Sequence, residues 1–287
     1  MPEIKIGVIG GTGLYDVEGL AEVEEIVLDT PFGNPSDSII TGSLDGVLVA
    51  FLPRHGRGHS IIPGEVPSRA NIYALKSLGV ESIIAINSVG SLREEIKQGD
   101  LVIPDQLIDR TKSRVNSFFG GGIVAHIQFA EPFCPSLRKL LYDTAREAGA
   151  DAHAEGTYVV MEGPAFSTKA ESNLHRSWGA DIIGMTALPE ARLAREAEIC
   201  YAIVACATDY DVWHETEEEV GVGVVLETMR QQEELCKRII KLAVPLISGL
   251  PSCGCPDALQ GAIITAPYAM PPDTKTDLDL IIGKYIN

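Results

Sequence analysis

The chain has 287 residues, 45% of them hydrophobic and 22% charged, which suits one large α/β domain and excludes fibrous and wholly disordered classes. Forty acidic residues against 23 basic ones give a net charge of −17 with no Lys/Arg block, which argues against nucleic acid and anionic lipid as partners. The longest apolar run, 199–207, is far short of the roughly twenty residues of a membrane span, and the opening MPEIKIGVIGG lacks a signal-peptide pattern, so a cytoplasmic location is expected.

In chain order, Ile4–Ile9 reads as a strand running into the turn Gly10-Gly11-Thr12-Gly13. Val47–Leu52 is a second strand, ending at Pro53-Arg54-His55-Gly56. Asn71–Leu78 has helical spacing and stops at Gly79. Ser82–Ile86 is a third strand, followed by a loop of small residues, Asn87–Ser91. Leu101–Ile103 follows Gly99-Asp100. Ser136–Ala148 is an amphipathic helix with Gly149 as its stop. Gly156–Met161 is a strand, Ala170–Trp178 a helix, Asp181–Ile183 a short strand and Pro189–Ala197 a helix. Glu198–Ala207 is a buried strand, and Leu226–Leu246 is a long helix. Beyond Gly249 the prolines at 251, 256, 267, 271 and 272 predict an irregular appended tail, so residues 1–250 form the domain and 251–287 an extension that packs on it or on a neighbouring subunit. Alternating strands and helices give an α/β domain with a central mixed sheet.

Ligands of such sheets collect beyond strand ends. The glycines at 10, 11 and 13 let backbone N–H groups approach an anion, with the Thr12 hydroxyl beside them, although a plain turn would look the same. A dinucleotide fingerprint fails because Asp16 stands where its third glycine belongs, and no Lys completes a Walker loop. Arg54, His55, Arg57 and His59 make one strand end cationic in an acidic chain, and a guanidinium fork matches phosphate. Asn87 and Ser88 add small polar groups at a third strand end. Asp209 and Asp211 follow the strand at 198–207 and suit acid–base work on a heterocycle, with a solvated turn as the alternative. Phe166 could stack on a planar ligand or pack in the core, and Met185 could touch a sugar or fill a gap.

Six cysteines are scattered along the chain. Cys200 and Cys206 read as core residues, and the absence of any C-x-x-C argues against a zinc site. Cys253-Gly254-Cys255 stands apart.

Eleven blocks occur in order: GVIGGTGL, DTPFG-x-PSD, RHGR, ANIYALKSLG, SVGSLREEI-x-x-GD, AEPFCP, EGP-x-FST-x-AES, WGAD, GMT, PEA-x-LAREAEICYA and ATDYDVW. With them the chain resembles the methylthioadenosine phosphorylases of the purine nucleoside phosphorylase superfamily, from about Ile4 to about Leu250. The resemblance implies a single α/β domain with a mixed, partly barrel-like sheet. It implies phosphorolysis of 5'-methylthioadenosine to adenine and 5-methylthioribose 1-phosphate, in methionine and purine salvage, with inorganic phosphate as co-substrate and no metal or organic cofactor. Carried over to this chain, Thr12, Arg54, His55, Asn87, Ser88 and Thr186 would bind phosphate. Met185 would line the ribose, Phe166 would pack on the base, and Ser167 would help set specificity. Asp209 would donate toward N7, and Asp211 with Asp209 would accept from the 6-amino group. Val222, Val225 and Leu226 would form the methylthio slot. His126 would reach a neighbouring subunit's site, which implies a homotrimer or a hexamer made of two trimers.

Two features depart from common family patterns. Gly184 stands where several relatives carry Asn, and Asn87-Ser88 replaces a Thr-Ala pair. The Cys253/Cys255 pair resembles a C-x-C that forms a strained disulfide in some thermophilic members. The rival readings are a phosphorylase of methylthioinosine or other 6-oxopurine nucleosides, a nicotinamide-dependent oxidoreductase using the N-terminal glycines, and a non-enzymatic nucleoside-binding module. The module would have no use for a phosphate cluster.

Overall fold

The computed structural model describes residues 3–11, 13–14, 17–214 and 222–286, and Thr12 lies outside them. Its centre is an apolar strand pair that pattern alone foretells. β1 (Ile6–Gly10) is buried throughout and lies parallel to both β4 (Val47–Pro53) and β5 (Ser82–Ser91). Strands buried on both faces are continuous apolar runs in such parallel cores. Two antiparallel strands, β2 (Leu20–Ile26) and β3 (Ile39–Leu44), extend that side.

β5 is the strand on which the architecture turns. Over Ser82–Ala85 it has β1 on one side, while β11 (Cys200–Asp209) runs parallel along its other side from Ser82 to Gly90. At Gly90 and Ser91 the place of β1 is taken by antiparallel β10 (Ile182–Gly184). β9 (Thr157–Met161) and β7 (Gln106–Arg110) continue the sheet from β10. Short β6 (Leu101–Val102) and β8 (Ala152–His153) branch from β11. The sheet is therefore mixed and forked, and β5 is left without an in-plane neighbour on one side around Ile86–Val89. In open α/β sheets such a change of neighbour is where ligand crevices form.

Helices cover the sheet. α1 (Ser68–Ser77) buries Ile72, Ala74 and Leu75, and α2 (Pro135–Glu147) starts on a proline and buries Leu137, Leu141 and Ala145. α3 (Lys169–Ser177) begins with a capping box between Thr168 and Glu171. α4 (Glu190–Glu196) and the 26-residue α5 (Val222–Ile247) follow. Among the described residues no helix is long and apolar enough to cross a membrane.

Three expectations are corrected here. The stretch Asn87–Ser91 is strand, because β11 pairs with Asn87–Gly90 and β10 with Gly90 and Ser91. Asp209 likewise ends β11 rather than lying beyond it. The proline-rich tail contains a 15-residue helix, α6 (Pro272–Ile286), with its proline at the tolerated first position. Leu278, Ile281 and Ile282 of α6 sit in the same core cluster as Ile72, Leu75 and Tyr201. β2, β3, β7 and β8 have no counterpart among the expected elements; β2 alternates poorly and is largely exposed, and β8 is two residues long.

Candidate active site

A cavity of about 230 Å³ opens at the fork of the sheet. Its floor is the strand end Gly10-Gly11 together with Ile86, Ser88, Val89 and Gly90 of β5. Pro53 to Gly56 and His59 form one wall, and Ile183 to Thr186 with Met161 and Phe166 form another. Thr208, Asp209 and Asp211 close the far end.

A β-bulge aims the acids. Ala207 pairs with Val89 and Asp209 with Gly90, so Thr208 is the extra residue, and such an insertion re-directs the side chains around it. Thr208 donates its hydroxyl to Asp209 Oδ2 at 2.7 Å, and the Asp211 N–H donates to Asp209 Oδ1 at 2.8 Å. Burial raises the pKa of Asp209, and the charge of Asp211 raises it further, while the Thr208 and Asp211 hydrogen bonds oppose the rise. Burial also raises Asp211, against the pull of the Ser172 and Ser167 hydroxyls. Asp211 sits at φ 52°, in the left-handed region, and its Oδ2 is buried without a hydrogen-bond partner among the described residues. The turn after it is pinned by Trp213, whose indole N–H donates to the Ser91 carbonyl at 2.8 Å. Gly90 is obligatory beneath the pair, since a Cβ there would lie 2.9 Å from Asp209 Oδ1.

The other end is less cationic than its sequence. Arg54 is buried, and Nε and Nη2 each donate to Glu190 at 2.9 Å. Nη1 donates to the Ile86 carbonyl, and the second Nη2 hydrogen is shared between Asn87 Oδ1 and the Ile9 carbonyl. Four of five N–H groups are thus committed, leaving one on Nη1. Burial opposes the charge on Arg54, but the Glu190 carboxylate outweighs it and holds the guanidinium pKa up. Arg57 is paired with Glu25 and Asp37. His55 holds its Nδ1 against the Ile61 carbonyl at 2.8 Å and stacks on His59. Burial, then the charge of Arg54, lowers His55 to about 4. It is therefore a neutral ring at pH 7, with hydrogen on Nδ1 and a lone pair on Nε2.

That shift has a stability consequence. Between pH 6.5 and about 4 the unfolded chain protonates His55 and the folded chain does not. Stability from this group is complete above pH 6.5 and is lost as pH falls toward 4. His55→Gln is expected to flatten the decline of Tm across that window. A variant profile as steep as the wild type would remove His55 as its source.

Of the other expected residues, Ser88, Thr186, Met185 and Phe166 line the cavity, Phe166 at its rim and 40% exposed. Asn87 does not, because side chains alternate along β5 and Ser88 takes the cavity face. Asn87 instead donates to Thr186 Oγ1 at 2.7 Å and accepts from Arg54, so it links two cavity groups from behind. Ser167 is buried beside Asp211, outside the lining. His126 lines a different cleft with Arg195 and Cys255. The side chains of Val222, Val225 and Leu226 lie outside the described residues. Gly184 has a local cause: a Cβ there would meet the buried Tyr158 hydroxyl at 2.3 Å.

Two residues escaped the sequence reading. Glu190, at the start of α4, receives both Arg54 and the Tyr201 hydroxyl at 2.7 Å. Arg114 donates to the carbonyls of Met161, Glu162, Met185 and Leu188, tying two cavity walls together. Nothing flanking Arg114 in the sequence marks it. The PEA block holding Glu190 does occur among the quoted motifs, so that residue was findable.

The family model described as the phosphorylase superfamily matches residues 5–245. An S-methyl-5'-thioadenosine phosphorylase of Geobacter sulfurreducens is 58% identical, covering 98% of this chain and 99% of the relative. The similarity therefore runs through the tail, beyond the Leu250 limit read from motifs. A crystal structure of a methylthioadenosine phosphorylase from an antarctic soil metagenomic library superposes with a TM-score of 0.94 at 47% identity, covering 98% and 99% of the two chains. A methylthioadenosine phosphorylase from Schistosoma mansoni in complex with adenine gives 0.83 at 36% identity, covering 98% of both.

Proposed function

This chain belongs to the phosphorylase superfamily, in its methylthioadenosine phosphorylase branch, and from that premise we propose that it cleaves the N-glycosidic bond of 5'-methylthioadenosine with inorganic phosphate, giving adenine and 5-methylthioribose 1-phosphate. It is a pentosyltransferase of nucleoside salvage.

One observation carries the assignment of ends. Two carboxyls with raised pKa close one end of the cavity, while Ser88, Thr186, Gly10, Gly11 and Arg54 line the other. A purine leaving group needs a proton or a strong donor at N7 as negative charge develops there, and a carboxyl whose pKa burial raises is suited to supply one. Asp209 takes that role. The bare Oδ2 of Asp211 accepts from the 6-amino group, which a 6-oxo base cannot offer.

Phosphate lies at the opposite end and attacks the anomeric carbon from the face away from the base. Its oxygens accept from Ser88, Thr186, the Gly10-Gly11 segment and Arg54. Thr186 can donate because Asn87 already fills its acceptor side. His55, neutral with a free Nε2, accepts the hydrogen of a monoprotonated phosphate. Alignment of nucleophile, sugar and base then contributes through proximity rather than through any catalytic metal. Thr12 joins the phosphate donors, Met185 and Phe166 flank sugar and base, and Val222, Val225 and Leu226 form the methylthio slot.

We further propose that the enzyme works in the cytoplasm as a homotrimer, with His126 approaching a neighbour's site. Light scattering of the purified chain at three times the 30.8 kDa chain mass supports this, and a monomer mass refutes it.

The substrate reading is tested with methylthioadenosine, adenosine, methylthioinosine and inosine under saturating phosphate. Adenine release should exceed hypoxanthine release by about 10²-fold or more, since a buried acceptor left unpaired rejects the wrong base strongly. Faster release from methylthioinosine would assign the enzyme to 6-oxopurines instead.

A further inference from the structure

Four cysteines that are scattered in the sequence meet at one point. Cys134 caps the N-terminus of α2, Cys200 opens β11, and Cys253 and Cys255 come from the segment after α5. All four sulfurs lie within 4.8 Å of one another. Cys253 Sγ is 3.3 Å from Cys200 Sγ and 3.8 Å from Cys134 Sγ, and all six cysteines of the chain are free thiols. None of the four lines the catalytic cavity.

Four sulfurs at the corners of a tetrahedron with metal–sulfur arms of about 2.3 Å stand about 3.8 Å apart. Cys253 Sγ approaches two other sulfurs rather than one partner, as a shared ion asks and a single disulfide does not. We propose that Cys134, Cys200, Cys253 and Cys255 hold one thiophilic divalent cation, zinc by its preference for four thiolates, in a closed structural site.

The surroundings fit such a centre. Cys134 and Cys255 are buried in an apolar cluster, with Cys200 and Cys253 packed against it, so apolar side chains surround most of the centre. A tetrathiolate centre carries net negative charge, and groups of the opposite polarity face it. Cys134 is the N-cap residue of α2, so the positive end of that helix meets its sulfur. The charge of Arg195 acts on Cys255, and both residues border the same open cleft, which gives an ion a way in. On binding, four metal–sulfur bonds form and the thiol protons pass to solvent, so no oxidant or reductant takes part. Sequence spacing missed the site because three separate segments supply the ligands and the only local pair is C-x-C.

The site would tie the segment leading to α6 onto α2 and β11, so its loss should lower Tm while sparing turnover at low temperature. The test is elemental analysis of the full chain purified with a thiol reductant and without chelator, followed by cobalt(II) titration of the stripped protein. The expected result is about one equivalent of zinc per chain, with sulfur-to-cobalt charge-transfer bands saturating at about one equivalent. Cys253→Ser and Cys255→Ser should each lose the metal and lower Tm. If neither variant folds, the wild-type metal content and cobalt spectrum decide alone. Reduced thiols with no bound metal and no charge-transfer band would overturn the proposal. So would an intact mass showing disulfides among these four cysteines in the purified protein.

Discussion

Asp209→Asn is expected to cut methylthioadenosine turnover by about 10²–10⁴, the range for loss of one positioned acid, while Tm near pH 7.5 holds or rises. The two outcomes share a cause. Burial and the neighbouring Asp211 raise the pKa of Asp209 in the folded chain. A carboxyl of this kind is at its most stabilising below its unfolded pKa, and that contribution is lost as pH rises through the raised folded pKa. Asn cannot ionise, so it escapes the penalty at neutral pH, and it still fills the space above Gly90. It cannot give up a proton to N7. Turnover of inosine should fall less, because the Asn amide N–H can still donate to N7 or to the 6-oxo group of that base. Equal losses on both nucleosides would remove the carboxyl from base recognition. A fall in Tm at pH 7.5 would contradict the burial argument.

The second large effect is on folding. Arg54→Ala leaves Glu190 charged and almost wholly buried, which costs about 3–5 kcal/mol, or roughly 10 °C in Tm for a chain of this size. Glu190→Gln should also destabilise, because Arg54 then loses its charged partner. Replacing the pair by apolar residues of similar volume, Arg54→Met with Glu190→Leu, should recover much of the stability. It should not recover phosphate affinity, since the one uncommitted N–H goes with the guanidinium. Thermal melts and the KM for phosphate, measured on the same variants, separate the two roles. A double variant with normal phosphate KM would make Arg54 a purely structural residue.

Much of this site is legible in the sequence because its chemistry sits at strand ends. The residues around 10, 54, 186 and 209 each follow an apolar run, and the run itself says where the strand stops. What pattern could not supply is direction. Asn87 and Ser88 are adjacent and equally polar, yet the pleat turns only Ser88 to the cavity. The RHGR loop reads as a concentration of positive charge, yet Glu190, 136 positions from Arg54, balances the first arginine. Burial leaves His55 uncharged, and Glu25 and Asp37 balance Arg57. These are long-range pairings, and no local window contains them. The tail differs from its pattern for another reason: Pro271 and Pro272 look like breakers, but a proline at the first position of a helix gives up no hydrogen bond.

One cavity is expected to hold phosphate against a sugar whose other face carries an amino-bearing base. The most direct measurement is phosphorus NMR of the sugar product formed from methylthioadenosine and inorganic phosphate. A resonance for 5-methylthioribose 1-phosphate, rising in step with adenine and absent without phosphate, is the predicted result. Adenine released together with free methylthioribose, at a rate indifferent to phosphate, would contradict it.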